Sequence, residues 1–158
     1  MKNKTIMIIL LSLALLGLVT SIYLTTLHYK GVDSICDFNQ QFSCTDVSRS
    51  AYAKIFSIPV SILGMVGYAF FAIMALLILK NFNFGKIHKR FNQKWIAGLY
   101  FYVTLLAFLF SLYLTYIELN AIHVICPLCL LSQIIIIIMV FFSYLHYKNL
   151  KLKEKLRG

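Results

Sequence analysis

Four cysteines carry the chemistry that this sequence could perform. Cys36 and Cys44 (the outer couple) stand in a mixed polar segment, and Cys126 and Cys129 (the inner couple) stand in a Cys-Pro-Leu-Cys motif before the last long apolar run. Cysteines three apart at the head of a helix share one face, within disulfide reach of each other. Pro127 suits the first helical position, and the unpaired N–H groups there favour a thiolate. We therefore predict a redox-active thiol pair at a helix head.

Simpler explanations exist for each couple. A cysteine can be a small buried hydrophobe, and a pair can form a static disulfide that staples a loop. For the outer couple alone, the staple is the simpler interpretation, whereas a C-x-x-C at a helix start favours redox or metal chemistry. Together the two couples suggest a relay. An exposed flexible pair could exchange disulfides with a soluble partner, and a membrane-embedded pair could pass electrons to a lipid-soluble acceptor.

The composition indicates an integral membrane protein. Of the 158 residues, 61% are hydrophobic and only 13% are charged, and the mean hydropathy is +0.83. Four apolar runs are long enough to cross a bilayer, so we predict an all-α, four-transmembrane-helix bundle forming a single domain over 1–158. The expected spans are residues 6–28, 58–80, 95–118 and 126–146. Segment 29–57 is the outer loop, with a short interfacial helix over 50–56, and 81–94 and 147–158 are the cytoplasmic loop and tail.

The net charge of +10 is an orientation signal. Twelve of the fifteen basic residues lie near the chain start, around the loop 81–94 or in the tail 147–158, as the positive-inside rule expects of one membrane face. This distribution argues against nucleic-acid binding. It predicts a bacterial cytoplasmic membrane protein with both termini in the cytoplasm. The cysteines then lie on the periplasmic side, where disulfides persist.

Four motifs in order carry a family resemblance. They are Cys36-x7-Cys44, Ser50 six residues later, the stretch Ile58-Pro-Val-Ser-Ile-Leu-Gly64, and Cys126-x-x-Cys129. From about residue 10 to 146 the chain resembles prokaryotic members of the vitamin K epoxide reductase (VKOR) family. The order is diagnostic: the separated couple comes first and the C-x-x-C lies on the last helix. Since twelve residues follow His146, we expect a stand-alone form without a fused thioredoxin domain.

The resemblance implies a membrane thiol–disulfide oxidoreductase that reoxidises a thioredoxin-fold (DsbA-like) partner. That partner would attack the Cys36–Cys44 disulfide at Cys36. Cys44 would then exchange with Cys126, and Cys129 would reduce a membrane quinone, either ubiquinone or menaquinone. Such relays proceed by thiolate attack through mixed disulfides.

Ser50, Gln133 and Cys129 are the predicted quinone contacts. Ser50 matches a family serine placed near the ring, although a turn or helix-cap serine is the plainer interpretation. Gln133 shares the face of Cys129 at i+4, and its alternative is a hydrogen bond between helices. Vertebrate relatives have tyrosine at the position of Gln133 and asparagine at that of Val60, so we expect plain quinone reduction rather than epoxide chemistry.

His123 precedes Cys126 by three residues and could hold a thiolate or shuttle a proton, although an interfacial position is the plainer interpretation. Glu118 could reach water or pair with Lys30 or Arg49, and the sequence does not decide its role.

Two rival functions belong to other classes. Paired cysteines could carry soft metal ions such as copper(I) or mercury(II) across the membrane. Against this, the sequence has no Met-rich or His-rich outer tract and no cysteine on the predicted cytoplasmic side. The third hypothesis is a disulfide-stapled structural subunit without catalytic activity.

Overall fold

The computed structural model describes residues 3–30, 34, 36–37, 43–55, 58–80 and 93–156. Four long helices dominate this part of the chain: α1 (Asn3–Lys30), α3 (Val60–Leu79), α4 (Gln93–Ile117) and α5 (Pro127–Lys155). Each contains an apolar segment long enough to cross a bilayer, with mean hydropathy between 1.9 and 2.5. The predicted four-helix membrane bundle is confirmed.

The outer segment forms a short helix at a different place from the expected one. α2 (Cys44–Arg49) precedes the stretch 50–56, whose last residue lies outside the described residues; the rest of that stretch contains a 3-10 turn (Ala51–Ala53) and strand β1 (Lys54–Ile55). β1 pairs antiparallel with β2 (Ile58–Pro59). The reason is local capping. The Ser43 side chain accepts a hydrogen bond from the Asp46 N–H at 3.1 Å and starts α2, and the Ser50 hydroxyl donates to the Val47 carbonyl at 2.8 Å where α2 ends.

Close helix contact depends on two small residues. Gly17 of α1 lies directly against the ring of Tyr68 on α3, and Gly64 of α3 lies against the Ser21 hydroxyl on α1. Small residues in membrane helices generally permit such close approach. Gly67 differs, since a Cβ built there would meet nothing within 4 Å.

The helices do not pack evenly around the bundle. α1 packs extensively against α3 and also contacts α5, and α4 packs against α5, but α3 and α4 have little direct contact. The gap between α3 and α4 leaves a cavity inside the bundle, and three of the four cysteines line it. We call the end of the bundle that holds the cysteines the cysteine end. There the last turns of α1 and α4 meet the first turns of α3 and α5.

Candidate active site

The outer couple forms a disulfide between Cys36 and Cys44, with the two Cα atoms 6.0 Å apart. Cys44 is fully buried and Cys36 is 6% exposed, so this couple is less accessible than the exposed pair expected from the sequence. Both sulfurs pack in a cluster with Leu24 and Leu27 of α1 and Val47 of α2. The end of α1 therefore forms an apolar surface against which the disulfide packs.

A small hydrogen-bond network around Asp37 holds the chain beside the disulfide. The Asp37 carboxylate accepts from the Ser34 N–H at 3.0 Å and from the Thr45 hydroxyl and N–H at 2.5 and 3.2 Å. Partial burial raises the pKa of Asp37, but the hydrogen bonds outweigh this effect and lower the pKa to about 2. The Ser34 hydroxyl lies 2.7 Å from the Cys36 sulfur. The network thus ties both ends of the disulfide loop together.

The inner couple consists of two free thiols at the start of α5. Pro127 is the first helical residue, as the sequence predicted, so Cys126 takes the N-cap position. Its sulfur accepts a hydrogen bond from the Cys129 N–H at 3.2 Å, which is the bond that an N-cap side chain makes to the third helical residue. Cys126 is fully buried, whereas Cys129 is partly exposed. The helix head therefore fixes one sulfur and leaves the other open to the gap beside it.

The fold brings the two couples together at the cysteine end. Cys126 belongs to the same buried cluster as Cys36 and Cys44. A backbone hydrogen bond of 3.2 Å joins the Ser43 N–H to the Ile125 carbonyl, that is, the residue before Cys44 to the residue before Cys126. The segments that carry the two couples are therefore directly tethered.

His28 provides a second tether, since its Nδ1 lies 2.6 Å from the Ser48 carbonyl. Because a carbonyl oxygen can only accept, Nδ1 must carry the proton of this bond. α1 thereby holds α2, the helix that begins with Cys44.

A cavity of about 820 Å³ lies between α3 and α4, and we call it the α3–α4 cavity. Cys44, Cys126 and Cys129 line its inner end. Its walls are mostly apolar, and several of the lining side chains are also exposed on the outside of the bundle: Leu63, Val66, Phe70, Leu106 and Phe110. The cavity therefore reaches from the cysteines to the apolar surface of the helices.

The two other predicted quinone contacts lie in different surroundings. Ser50 lines the α3–α4 cavity, with its hydroxyl donating to the Val47 carbonyl. Gln133 is buried and absent from the cavity lining. Its side-chain oxygen accepts a hydrogen bond from the Ser111 hydroxyl across the α4–α5 contact. This geometry matches the helix–helix alternative, and a quinone contact at Gln133 stays a prediction.

Glu118 is the residue whose place sequence reasoning did not assign. It opens a π-helical turn (Glu118–Ile122) that ends α4, is 7% exposed and lines the cavity. The sequence did contain an indication that Glu118 has a role, because a carboxylate at the end of an apolar span is costly unless it has a partner. His123, by contrast, is exposed and takes a left-handed backbone conformation with φ of 55° where the turn ends.

A membrane helix bundle that joins a disulfide and a dithiol at one cavity is the arrangement of a membrane thiol–disulfide oxidoreductase. Residues 8–144 match the Vitamin K epoxide reductase family, and the chain belongs to that family. No curated protein matches the chain significantly. Thiol–disulfide oxidoreductase activity within a lipid bilayer follows from the family together with the apolar helices and the cysteines.

Proposed function

We propose that this protein reoxidises a thioredoxin-fold, DsbA-like partner and passes the electrons through the outer and then the inner couple to a membrane quinone. The reaction would supply oxidising equivalents for disulfide-bond formation outside the cytoplasm. One observation supports this proposal above the others: Cys44, Cys126 and Cys129 line one cavity, while Cys36, Cys44 and Cys126 share one buried cluster.

The first step takes place at the outer disulfide. A thiolate of the reduced partner attacks the Cys36 sulfur, and Cys44 leaves as a thiolate. The second thiol of the partner then attacks the mixed disulfide, so the partner leaves oxidised and the outer couple is left as two thiols. Cys36 is the more accessible of the two sulfurs, being 6% exposed where Cys44 is fully buried. Attack on Cys36 also frees Cys44, the sulfur that lines the cavity.

The second step passes the two electrons from the outer to the inner couple. The Cys44 thiolate attacks Cys126 of the inner disulfide and releases Cys129, and Cys36 then closes the outer disulfide again. The tether between Ser43 and Ile125 holds the two segments in reach of each other. The product is the arrangement found in the structure, with an outer disulfide and an inner dithiol.

The α3–α4 cavity has the properties expected of a quinone site. Its volume of about 820 Å³ and largely apolar walls are typical of small-molecule sites. Ser50 and His28 lie on the lining, where their polar protons bond the Val47 and Ser48 carbonyls. The Ser50 hydroxyl would therefore have to exchange its bond to Val47 for one to a quinone oxygen. Cys129 is the partly exposed sulfur at the inner end of the cavity. A quinone bound there supplies an acceptor for two electrons and two protons. Cys129 and Cys126 give up those electrons as their disulfide forms.

The proposed orientation follows from charge. The last turns of α5 carry exposed lysines, among them Lys148, Lys151 and Lys153, far along the helix from its cysteine-bearing head. The positive-inside rule assigns this basic end to the cytoplasm. The cysteine end then faces the oxidising side of a bacterial cytoplasmic membrane, where a thioredoxin-fold partner can reach it.

The proposal is tested by following cysteine oxidation in membranes with quinone present and after its depletion. Reduced cysteines should accumulate on depletion, whereas a metal carrier or a static staple predicts no change. Among the residues described here, no group of three or more His, Cys, Asp or Glu side chains is arranged to hold a metal ion.

Matched single variants locate the two ends of the relay. Cys129→Ala should abolish quinone reduction while a Cys44–Cys126 bond can still form and accumulate. Cys36→Ala should block reduction by the protein partner while small dithiols still deliver electrons. Full quinone reduction by Cys129→Ala, or an unchanged rate with the protein partner in Cys36→Ala, would refute the proposed path.

A further inference from the structure

The inner couple loses two protons whenever it forms a disulfide, and one buried group lies beside it to receive them. The Glu118 carboxyl group lies beside the Cys129 thiol and the backbone of Cys126, close enough to interact electrostatically with both. It is 7% exposed and lines the α3–α4 cavity together with both cysteines. Glu118 thus bridges the end of α4 and the head of α5.

The backbone around Glu118 is unusual in the way expected of a functional position. The α-helix of α4 ends at Ile117, and Glu118 begins a π-helical turn. Such turns are rare and often occur at functional sites because they change the direction of the side chains that follow. Asn120 in the same turn is exposed and bonds back to the Tyr116 carbonyl at 3.0 Å. Glu118 and Asn120 therefore have opposite environments within one turn, and of these two only Glu118 lines the cavity with the cysteines.

We propose that Glu118 is the proton acceptor of the inner couple. Its carboxylate takes the proton of the Cys129 thiol as that sulfur becomes the reacting thiolate, and then releases this proton to the electron acceptor in the cavity. The same carboxylate next takes the proton of Cys126 when its sulfur bonds to Cys129. Over one cycle the couple loses two electrons and two protons, the acceptor gains both, and Glu118 returns to the carboxylate. The inference rests on the proposed function only in requiring that the inner couple cycles between dithiol and disulfide.

The alternative is a purely structural role for Glu118, because a carboxylate beside the Cys126 N–H stabilises the start of α5. Glu118→Gln separates the two roles. The glutamine oxygen can lie beside the same N–H, but the amide cannot take up a proton. Glu118→Asp keeps a carboxyl group with a shorter reach, and Asn120→Ala is the matched control for disturbance of the π-helical turn.

The experiment follows oxidation of the reduced inner couple across a range of pH, in the full chain freed of quinone. Diamide, which takes up two electrons and two protons, is the oxidant in one arm, and a water-soluble quinone is the oxidant in the other. The fraction of disulfide is read after acid quench and alkylation. Among the described residues that line the cavity, the other titratable groups are Cys126 and Cys129 on α5, His28 on α1, Tyr52 in the outer segment and Tyr68 on α3, while Cys44 is held in the outer disulfide. All of these are unchanged in the variants.

With Glu118 as the base, the wild-type rate should level off once its carboxyl group is ionised. In Glu118→Gln the rate at neutral pH should fall by about 10²- to 10⁴-fold, the usual worth of a general base. The remaining rate should rise about tenfold per pH unit, because hydroxide must then remove the proton. Glu118→Asp should keep the level profile at an intermediate rate, and Asn120→Ala should behave as wild type.

A Glu118→Gln rate within about twofold of wild type, with the same pH profile, would overturn the assignment. Loss in the quinone arm alone would also overturn it, since Glu118 would then act on the quinone and not on the thiol. If Glu118→Gln fails to form the outer disulfide, the Glu118→Asp variant is used as the test instead. An oxidation rate in Glu118→Asp that no longer levels off with rising pH would then contradict the proposal. Wild-type protein that is oxidised by diamide but by no quinone would instead refute the proposed function. The experiment with diamide would still test whether Glu118 accepts the protons of the inner couple.

Discussion

Replacement of Gly17 by alanine should destabilise the bundle by overpacking one helix contact. A Cβ at Gly17 would lie 2.5 Å from Cδ1 of Tyr68 and closer still to Cε1 and Cζ. Since carbon atoms pack best at about 3.5–4.0 Å, the ring would have to move by about 1 Å. Tyr68 is only 4% exposed and its hydroxyl donates to the Ser132 carbonyl at 3.2 Å. A shift of that size would break this hydrogen bond.

The expected magnitude follows from these contacts. Overpacking of a well-filled interior costs about 1–3 kcal/mol, and leaving the buried tyrosine hydroxyl without a partner costs about 1–3 kcal/mol more. Alanine returns about 1 kcal/mol through its better helix propensity. The net expectation is a loss of about 2 kcal/mol or more in the free energy of unfolding.

The measurement is equilibrium unfolding of the purified protein in mixed detergent micelles, with Gly67→Ala as the matched control. Gly67 lies one residue before Tyr68 on α3 and has open space around its would-be Cβ. Gly67→Ala should therefore be neutral or stabilising by up to about 1 kcal/mol. A double-mutant cycle with Tyr68→Ala provides the decisive check. If Gly17→Ala cost the same in both backgrounds, the clash with Tyr68 could not be its cause.

Three further predictions concern the site. Asp37→Asn should make the outer disulfide easier to reduce in a dithiol titration at pH 7. Because the folded-state pKa of Asp37 is lowered to about 2, the wild-type stabilisation should hold above about pH 4 and be lost as the pH falls towards 2; equal midpoints for variant and wild type would contradict this. Cys126→Ser and Cys126→Ala should both stop electron transfer, but the alanine should unfold more easily, by about 1 kcal/mol, because it cannot cap α5. Equal stability of the two would argue against the cap. Gln133→Leu should cost about 0.6–1.7 kcal/mol by removing the hydrogen bond from Ser111, with no additional loss when Ser111→Ala is combined with it. A raised KM for quinone in Gln133→Leu would instead make Gln133 a quinone contact.

Much of the fold could be predicted because the bilayer restricts what an apolar chain can do. A backbone in hydrocarbon must satisfy its own hydrogen bonds, so each long apolar run has to be a helix. The start of α5 was equally predictable, since Pro127 suits the first helical turn and the observed helix begins there. The short helix of the outer segment was misplaced. The spacing of apolar residues in 50–56 suggested a helix, but the capping serines Ser43 and Ser50 set α2 earlier in the chain.

The sequence by itself determined the chemistry available to this protein, because four cysteines in two couples and an apolar chain leave few alternatives to redox work in a membrane. Only the tertiary structure decided which groups meet. The hydrogen bond from Ser43 to Ile125 and the cavity left where α3 and α4 separate depend on residues far apart in the chain, and the approach of Glu118 to Cys129 depends on how the end of α4 packs against the head of α5. Local pattern carries no information about such distant pairs. Their contact depends on how the helices pack, and packing depends on the shapes of all four surfaces at once.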